Sequence, residues 1–213
     1  MSEVFAGFDL IKIAAMIVAL MVAIIGHEIM HGRAALFYGD TTARDAGRLS
    51  LNPLKHIDPM GTIAVPALLL ISGAPFLFGW AKPVPINVWR VLERGQMAMV
   101  VVSLAGIFFN LLVAFVAAQL IGLAAPASFV QQLLFYLILW NVVLAVFNLL
   151  PIPPLDGANA LGHFAAALGF EGIGRFFDRV GMWGMVVLVV ILMTDLRFFL
   201  FGAMDWLIRS FLA

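Results

Sequence analysis

Long apolar segments separated by short polar ones constrain this chain more than any other feature. A transmembrane helix needs about 20 mainly apolar residues. Five segments come near that length: residues 10–32, 61–79, 97–122, 129–150 and, with some 15 apolar positions, 180–194. The third is long and clean, whereas the second is broken by Pro66, Gly73 and Pro75. After the fourth comes a polar, proline-rich break at Pro151, Pro153, Pro154, Asp156 and Gly157, then a short helix expected over residues 158–168. An amphipathic tail with Asp205 and Arg209 closes the chain and is of a kind that either spans the bilayer or lies at its interface.

Composition excludes a soluble fold. Of the 213 residues 64% are hydrophobic and 11% charged, with a mean hydropathy of +1.09, against roughly 25% charged residues in a soluble domain. The chain reads as an all-α polytopic membrane protein with a single membrane-embedded domain over residues 1–213, its core at 10–160 and its C-terminal helices at 161–213. No internal repeat, low-complexity segment or soluble appendage is evident. Formal charge is zero and the 12 basic residues are scattered, so no nucleic-acid partner is expected. Cysteine is absent, which excludes disulfides and thiolate metal sites and leaves His, Asp and Glu as metal ligands. The first apolar segment follows acidic Glu3 and Asp9 and lacks a small-residue cleavage pattern, so it is expected to remain as a membrane helix.

Near the end of that segment stands His27-Glu28-Ile29-Met30-His31. Histidines four residues apart on a helix lie about 40° apart in azimuth and one turn apart in height, so both can reach one ion. Glu28 projects beside such an ion, where it can take a proton from water. Charged groups at the membrane centre cost about 2.5–3.5 kcal/mol each, so these residues need a common partner. A divalent ion supplies one; the alternative is a hydrogen-bonded polar cluster with no ion. Catalytic zinc usually has three protein ligands, and the acidic residues close enough behind an apolar segment are Asp40, Asp45, Asp58, Asp156 and Glu171. Asp156 stands out because three prolines break the helix just before it, and irregular backbone at membrane depth is tolerated only against protein or water. An ordinary Asp-Gly turn is the competing reading.

The chain resembles the site-2 protease family of intramembrane zinc metalloproteases, in its short bacterial form without PDZ or CBS domains. The resemblance is carried by Gly26 to Gly32 around the histidines, by Leu51-Asn52-Pro53-Leu54-Lys55-His56-Ile57-Asp58-Pro59-Met60-Gly61-Thr62, and by Gly79-Trp80-Ala81-Lys82-Pro83-Val84-Pro85. It continues in Ser103-Leu104-Ala105-Gly106 with Asn110, and in Phe147-Asn148-Leu149-Leu150-Pro151 through Asp156-Gly157. Together these cover about residues 20–160. The resemblance implies that His27, His31 and Asp156 bind one zinc ion and that Glu28 is the general base. It also implies that Asn148 helps to stabilise an oxyanion, a reading that competes evenly with a helix-packing hydrogen bond; for Asn110 packing is the favoured reading. The family's usual Gly-Pro is Gly106-Ile107 here, which is expected to straighten that helix, and Ala158 follows Asp156-Gly157 in place of Gly or Ser.

As a member of this family the chain would hydrolyse peptide bonds in or near transmembrane segments of membrane-protein substrates, within the lipid bilayer of a bacterial cell membrane. A metal transporter, or a metal-binding membrane protein without proteolytic activity, is the rival class. Against it, the ionisable groups gather at one depth with no counterpart in the outer half. A non-catalytic relative that retains clients fits poorly with an intact Glu28. The sequence leaves the oligomeric state open.

Charge and site together restrict topology. Arg33, Arg44, Arg48, Lys55, Lys82, Arg90 and Arg94 lie between the first and third segments, while residues 123–128 carry no charge. Residues 33–60 and 80–96 are therefore expected on the cytoplasmic side, with the N-terminus outside. Asp156 must reach the depth of His31, so residues 129–150 run outside to inside. Had residues 61–79 crossed fully, Asp156 would lie on the wrong side. That segment is thus expected to be re-entrant, with three core helices at 10–32, 97–122 and 129–150 around the zinc and one or two further C-terminal membrane helices. The Gly79 to Pro85 loop and the stretch near residues 46–52 are expected to offer a strand edge to an unwound substrate. His56 and Asp58 read chiefly as a polar turn before Pro59.

Overall fold

The computed structural model describes residues 9–73, 79–181 and 183–212. All regular structure among them is helical, with no strand. Helix α1 (Leu10–Phe37) starts where the Asp9 carboxylate accepts a hydrogen bond from Lys12 N at 3.1 Å. Its 28 residues span about 42 Å, more than the roughly 30 Å hydrocarbon core requires. The helix ends in a Schellman motif in which Gly39 N bonds Leu36 O and Asp40 N bonds Ala35 O. Gly39 has φ +99°, a left-handed conformation that glycine adopts without a Cβ penalty.

Lipid tails are as apolar as leucine, so membrane helices associate through close packing and hydrogen bonds more than through a hydrophobic drive. Helix α1 meets that need with fully buried Ala15, Ala19 and Ala23. The same every-fourth-residue stripe continues into His27 and His31, both buried. After α2 (Thr42–Asp45), α3 (Val65–Ile71) and α4 (Val88–Leu92) comes α5 (Gln96–Ile121), which shows a matching buried stripe of Ala98, Val102, Gly106, Asn110 and Ala114. Helix α6 (Phe129–Asn148) adds Ile138, Asn141, Val142 and Ala145, and the three long helices pack on one another. Among the described residues these are the three single helices long and apolar enough to cross a membrane. They match the expected core with small changes at their ends. Helix α5 runs unbroken through Gly106-Ile107, in agreement with the expectation for that pair.

The expected short helix appears as α7 (Asp156–Ala167) and begins at the candidate ligand. Amphipathic α8 (Glu171–Val180) holds an Arg175–Glu171 ion pair at 2.9 Å. Apolar α9 (Trp183–Met193) and α10 (Arg197–Leu212) reach about 16 and 24 Å. Leu200 and Met204 of α10 pack into a cluster with Ala114, Ala117, Ile138 and Val142, while Asp205 and Arg209 pair at 2.7 Å on its exposed face.

Residues 59–71 form a π-helical stretch, Pro59–Ala64, running into α3. Together they are about 20 Å long, too short to cross. The chain then returns to its starting point: Trp80 N donates to Gly61 O at 3.1 Å, Thr62 Oγ1 to Trp80 O at 2.9 Å, and Lys82 N to His56 O at 2.9 Å. The two ends of the segment thus meet, an arrangement that fits the expected re-entrant path. Pro75 lies, with the rest of 74–78, outside the described residues. Asp58 accepts from Met60 N and Gly61 N at 2.9 and 2.7 Å, and His56 Nε2 donates to Ser50 O at 2.8 Å, so both residues build the polar turn.

The expected strand edge does not form among the described residues. Residues 80–87 carry no regular secondary structure, and Lys82 gives its N–H to His56 O and its carbonyl to Arg48 Nη2 at 2.6 Å. Pro83 and Pro85 have no N–H to offer a ladder. The far end is tied down by buried Asp40, which accepts from Asn87 N at 2.7 Å and from Thr42 N at 3.0 Å and Thr42 Oγ1. Burial pushes the Asp40 carboxyl up, yet these donors and nearby Arg90 outweigh it and hold its pKa below the usual range.

Because the chain lacks cysteine, single replacements report sidedness cleanly. Lys55→Cys and Glu93→Cys should react with a membrane-impermeant maleimide from the same side, and Ala125→Cys from the other. Labelling of positions 55 and 93 from opposite sides would contradict the re-entrant path.

Candidate metal centre

The α1 stripe delivers His27 and His31 to the seam with α5, and the proline-rich turn after α6 delivers Asp156 to the same point. His27 Nε2 lies 3.0 Å and His31 Nε2 3.2 Å from Asp156 Oδ2, and the two Nε2 atoms are 3.0 Å apart. These separations approach the roughly 3.3 Å edge of a tetrahedron with bonds of about 2.0 Å. The histidines are 5% and 7% exposed, so water cannot readily satisfy them. Among the described residues these three form the one group of His and carboxylate side chains placed to hold a metal ion.

Hydrogen bonds on the far side of each ring assign its tautomer. Asn141 Nδ2 donates to Leu137 O at 2.8 Å, which leaves Asn141 Oδ1 to accept from Asn110 Nδ2 at 2.8 Å. Asn110 Nδ2 also donates to Ala23 O at 3.0 Å. Asn110 Oδ1 therefore faces His27 Nδ1, 2.6 Å away, and that nitrogen must carry the proton. His31 Nδ1 likewise donates to Val102 O at 2.7 Å. In the neutral imidazoles both Nε2 atoms then carry lone pairs that face a carboxylate oxygen. With both rings neutral, three acceptors converge, an arrangement that a divalent cation stabilises. The donor set, two imidazoles and a carboxylate, suits zinc, so the residues fit that ion. Gly106 makes room: a Cβ there would stand 2.5 Å from His31 Nε2 and 2.6 Å from His27 Cε1.

The other site residues lie at different distances from this cluster. Glu28 is half-buried, and its Oε2 accepts from Val84 N at 2.8 Å. Asn148 ends α6 and donates through Nδ2 to Leu144 O at 3.0 Å, the packing bond weighed for it from sequence. Asp40, Asp45, Asp58 and Glu171 are used elsewhere, in the Asn87 and Thr42 contacts, the Arg44 pair, the Met60 cap and the Arg175 pair. Asn110, Asn141 and the Val102 carbonyl carry the second layer of the site. Sequence gave only a faint sign of them, two asparagines in otherwise apolar helices.

Apolar helices enclosing two histidines and a carboxylate define an integral membrane metalloenzyme. Comparison with known proteins makes this specific. Residues 117–192 match peptidase family M50. The chain is 35% identical over 201 residues to the Bacillus subtilis protein named "Putative zinc metalloprotease YwhC", covering 90% of this chain and 86% of that one. It is 32% identical over 196 residues to the Mycolicibacterium smegmatis protein named "Putative zinc metalloprotease Rip2", covering 89% and 69%. A Methanocaldococcus jannaschii protein, "Putative zinc metalloprotease MJ0611", is 29% identical over 157 residues, or 74% of each chain. No solved structure matches. The chain belongs to peptidase family M50, the site-2 protease family, and is a zinc metalloprotease.

Replacing Asn110 with Leu removes the acceptor that holds His27 Nδ1–H. Loss of such outer partners lowers metal affinity about 10- to 100-fold. Chelator competition should show a loss of that size for Asn110→Leu and a smaller one for Asn141→Leu, one bond further out. Unchanged zinc affinity in Asn110→Leu would contradict the tautomer assignment.

Proposed function

We propose that this protein hydrolyses peptide bonds in or beside the transmembrane segments of other membrane proteins, with His27, His31 and Asp156 as zinc ligands and Glu28 as general base. The observation that carries this reading is the convergence of the three ligand atoms inside the packed ends of helices long enough to cross a membrane. His27 lies about 26 Å along α1 from Leu10, so a bond that reaches the site must do so near the inner edge of the hydrocarbon core. Arg33, Arg44, Arg48, Lys55, Lys82, Arg90 and Arg94 belong to the segments joined at that end, which supports a cytoplasmic-facing site and an outer N-terminus under the positive-inside rule.

A zinc ion held by the three ligands supplies a Lewis acid that lowers the pKa of water towards 7 and polarises the substrate carbonyl. The chain's own residues do the rest. Glu28 follows His27 by one residue, so its carboxylate stands about 100° around the helix from that ligand. With Oε2 engaged by Val84 N, Oε1 is the atom free to receive the proton of the attacking water. The water oxygen bonds to the carbonyl carbon, the C–N bond breaks, and Glu28 passes its proton to the leaving amine. A carboxylate and an amine result. Asn148 is assigned the supporting role of donor to the oxyanion, through the second Nδ2 hydrogen, the first being given to Leu144 O. The substrate must unwind first, because a helix buries its peptide groups in its own hydrogen bonds.

Glu28→Gln keeps the size and polarity of the side chain and removes the base. With the protein in liposomes, zinc content should be unchanged, and cleavage of a transmembrane peptide should fall about 10²- to 10⁴-fold. Cleavage at the wild-type rate would remove Glu28 from the mechanism.

A further inference from the structure

The Glu28 carboxylate is engaged by a main-chain amide from a distant segment. We propose that Val84, through its backbone N–H, is the positioning residue for Glu28, an inference that rests on reading Glu28 as the general base. Val84 N donates to Glu28 Oε2 at 2.8 Å across 56 positions of sequence. Pro83 and Pro85 flank it, so residues 83–85 contain a single main-chain donor, and it is spent on this carboxylate. The prolines also restrict φ on both sides of Val84, which holds that donor in direction.

The surrounding contacts fix the amide in place. Val84 is 6% exposed. A Cβ on Gly32, one helical turn beyond Glu28, would come within 2.9 Å of Val84 Cγ1. The Val84 side chain thus seats on α1 at Gly32, which sets its N–H over the turn that carries Glu28. Two residues upstream, Lys82 N bonds His56 O and Lys82 O accepts from buried Arg48. Three residues downstream, Asn87 N bonds buried Asp40. The segment is therefore held on both sides of the one amide that touches the base.

A carboxylate at the end of a glutamate has a broad, roughly two-fold terminal torsion, so a lone Glu28 would sample many orientations. The Val84 bond takes one oxygen and leaves the other as the proton acceptor. It also gives the re-entrant segment a direct line to the chemistry: any displacement of residues 80–87 frees Glu28, although that segment supplies no metal ligand. The positioning acts on turnover more than on substrate or metal binding.

Two measurements test this. In the first, Val84 is replaced by its α-hydroxy acid, which turns the amide N–H into an ester oxygen. We expect kcat to fall about 10- to 100-fold, with KM within twofold of wild type and zinc content unchanged. The ester should cost more in kcat than Val84→Ala, which keeps the N–H and loses only the seat at Gly32. In the second, hydrogen exchange is read in the full-length protein by fragmenting a peptide over residues 82–87. The two prolines carry no amide hydrogen, so the Val84 signal stands alone between them. Glu28→Ala should speed Val84 exchange at least about tenfold and leave the Asn87 amide, bonded to Asp40, as it was. An ester variant with wild-type kcat, or Val84 exchange that ignores Glu28→Ala, overturns the inference. Failure of the general-base reading would show separately, as cleavage retained by Glu28→Gln, and would leave the exchange result to judge the contact.

Discussion

Two imidazoles and a carboxylate meeting in a nearly dry site suit a single divalent cation, and much of the fold is arranged to make them meet. Each histidine gives its Nδ1 proton to a fixed acceptor, Asn110 Oδ1 or Val102 O, so in the neutral ring Nε2 is the nitrogen left to bind an ion. Asp156 adds a third acceptor at 3.0 and 3.2 Å. In water such a cluster would disperse. Between packed helices it persists when an ion shares the lone pairs, which couples metal binding to the stability of the seam itself. The small residues of the four-residue stripes, Ala15, Ala19 and Ala23 on α1 and Gly106 on α5, let the backbones approach closely enough for side chains as short as Asn110 to bridge them.

The same requirement orders the topology. Asp156 follows α6, and the histidines lie towards the end of α1, so those two ends share one face of the bundle. If α5 and α6 each cross once, the chain between α1 and α5 starts and finishes on that face. The hydrogen bonds that join Gly61 and Thr62 to Trp80 and His56 to Lys82 show how it does so. The prolines that make residues 61–85 a poor strand or a poor full-length helix also leave one isolated N–H, at Val84, beside the carboxylate of Glu28. The proposed re-entry and the proposed role of Glu28 thus draw on the same local chemistry.

Much of this was legible in the sequence. The three long helices could be read from apolar length, and the re-entrant path followed from charge placement and the need for Asp156 to share a depth with His31. Where reading stopped, the cause was physical. Helix α1 continues to Phe37, past Arg33, because a long basic side chain can stay on a helix and still reach water. Asn110 read as a packing residue, since an asparagine in an apolar helix looks the same whether its amide meets a carbonyl or an imidazole; only the Asn141–Asn110–His27 chain distinguishes them. The Val84 contact depends on one main-chain donor 56 positions from its acceptor, for which side-chain identity gives no signal. The strand edge expected at residues 79–85 does not form, because its prolines and its bonds to Arg48 and His56 leave too few groups for a ladder.

The claim on which the rest depends is that His27, His31 and Asp156 bind one zinc ion together. X-ray absorption at the zinc edge of the purified protein tests it most directly. The account predicts about one zinc per chain with a shell of nitrogen and oxygen at about 2.0–2.2 Å, outer scattering from two imidazoles, and loss of that signature in Asp156→Ala. A zinc shell without imidazole scattering, or one identical in wild type and Asp156→Ala, would contradict it.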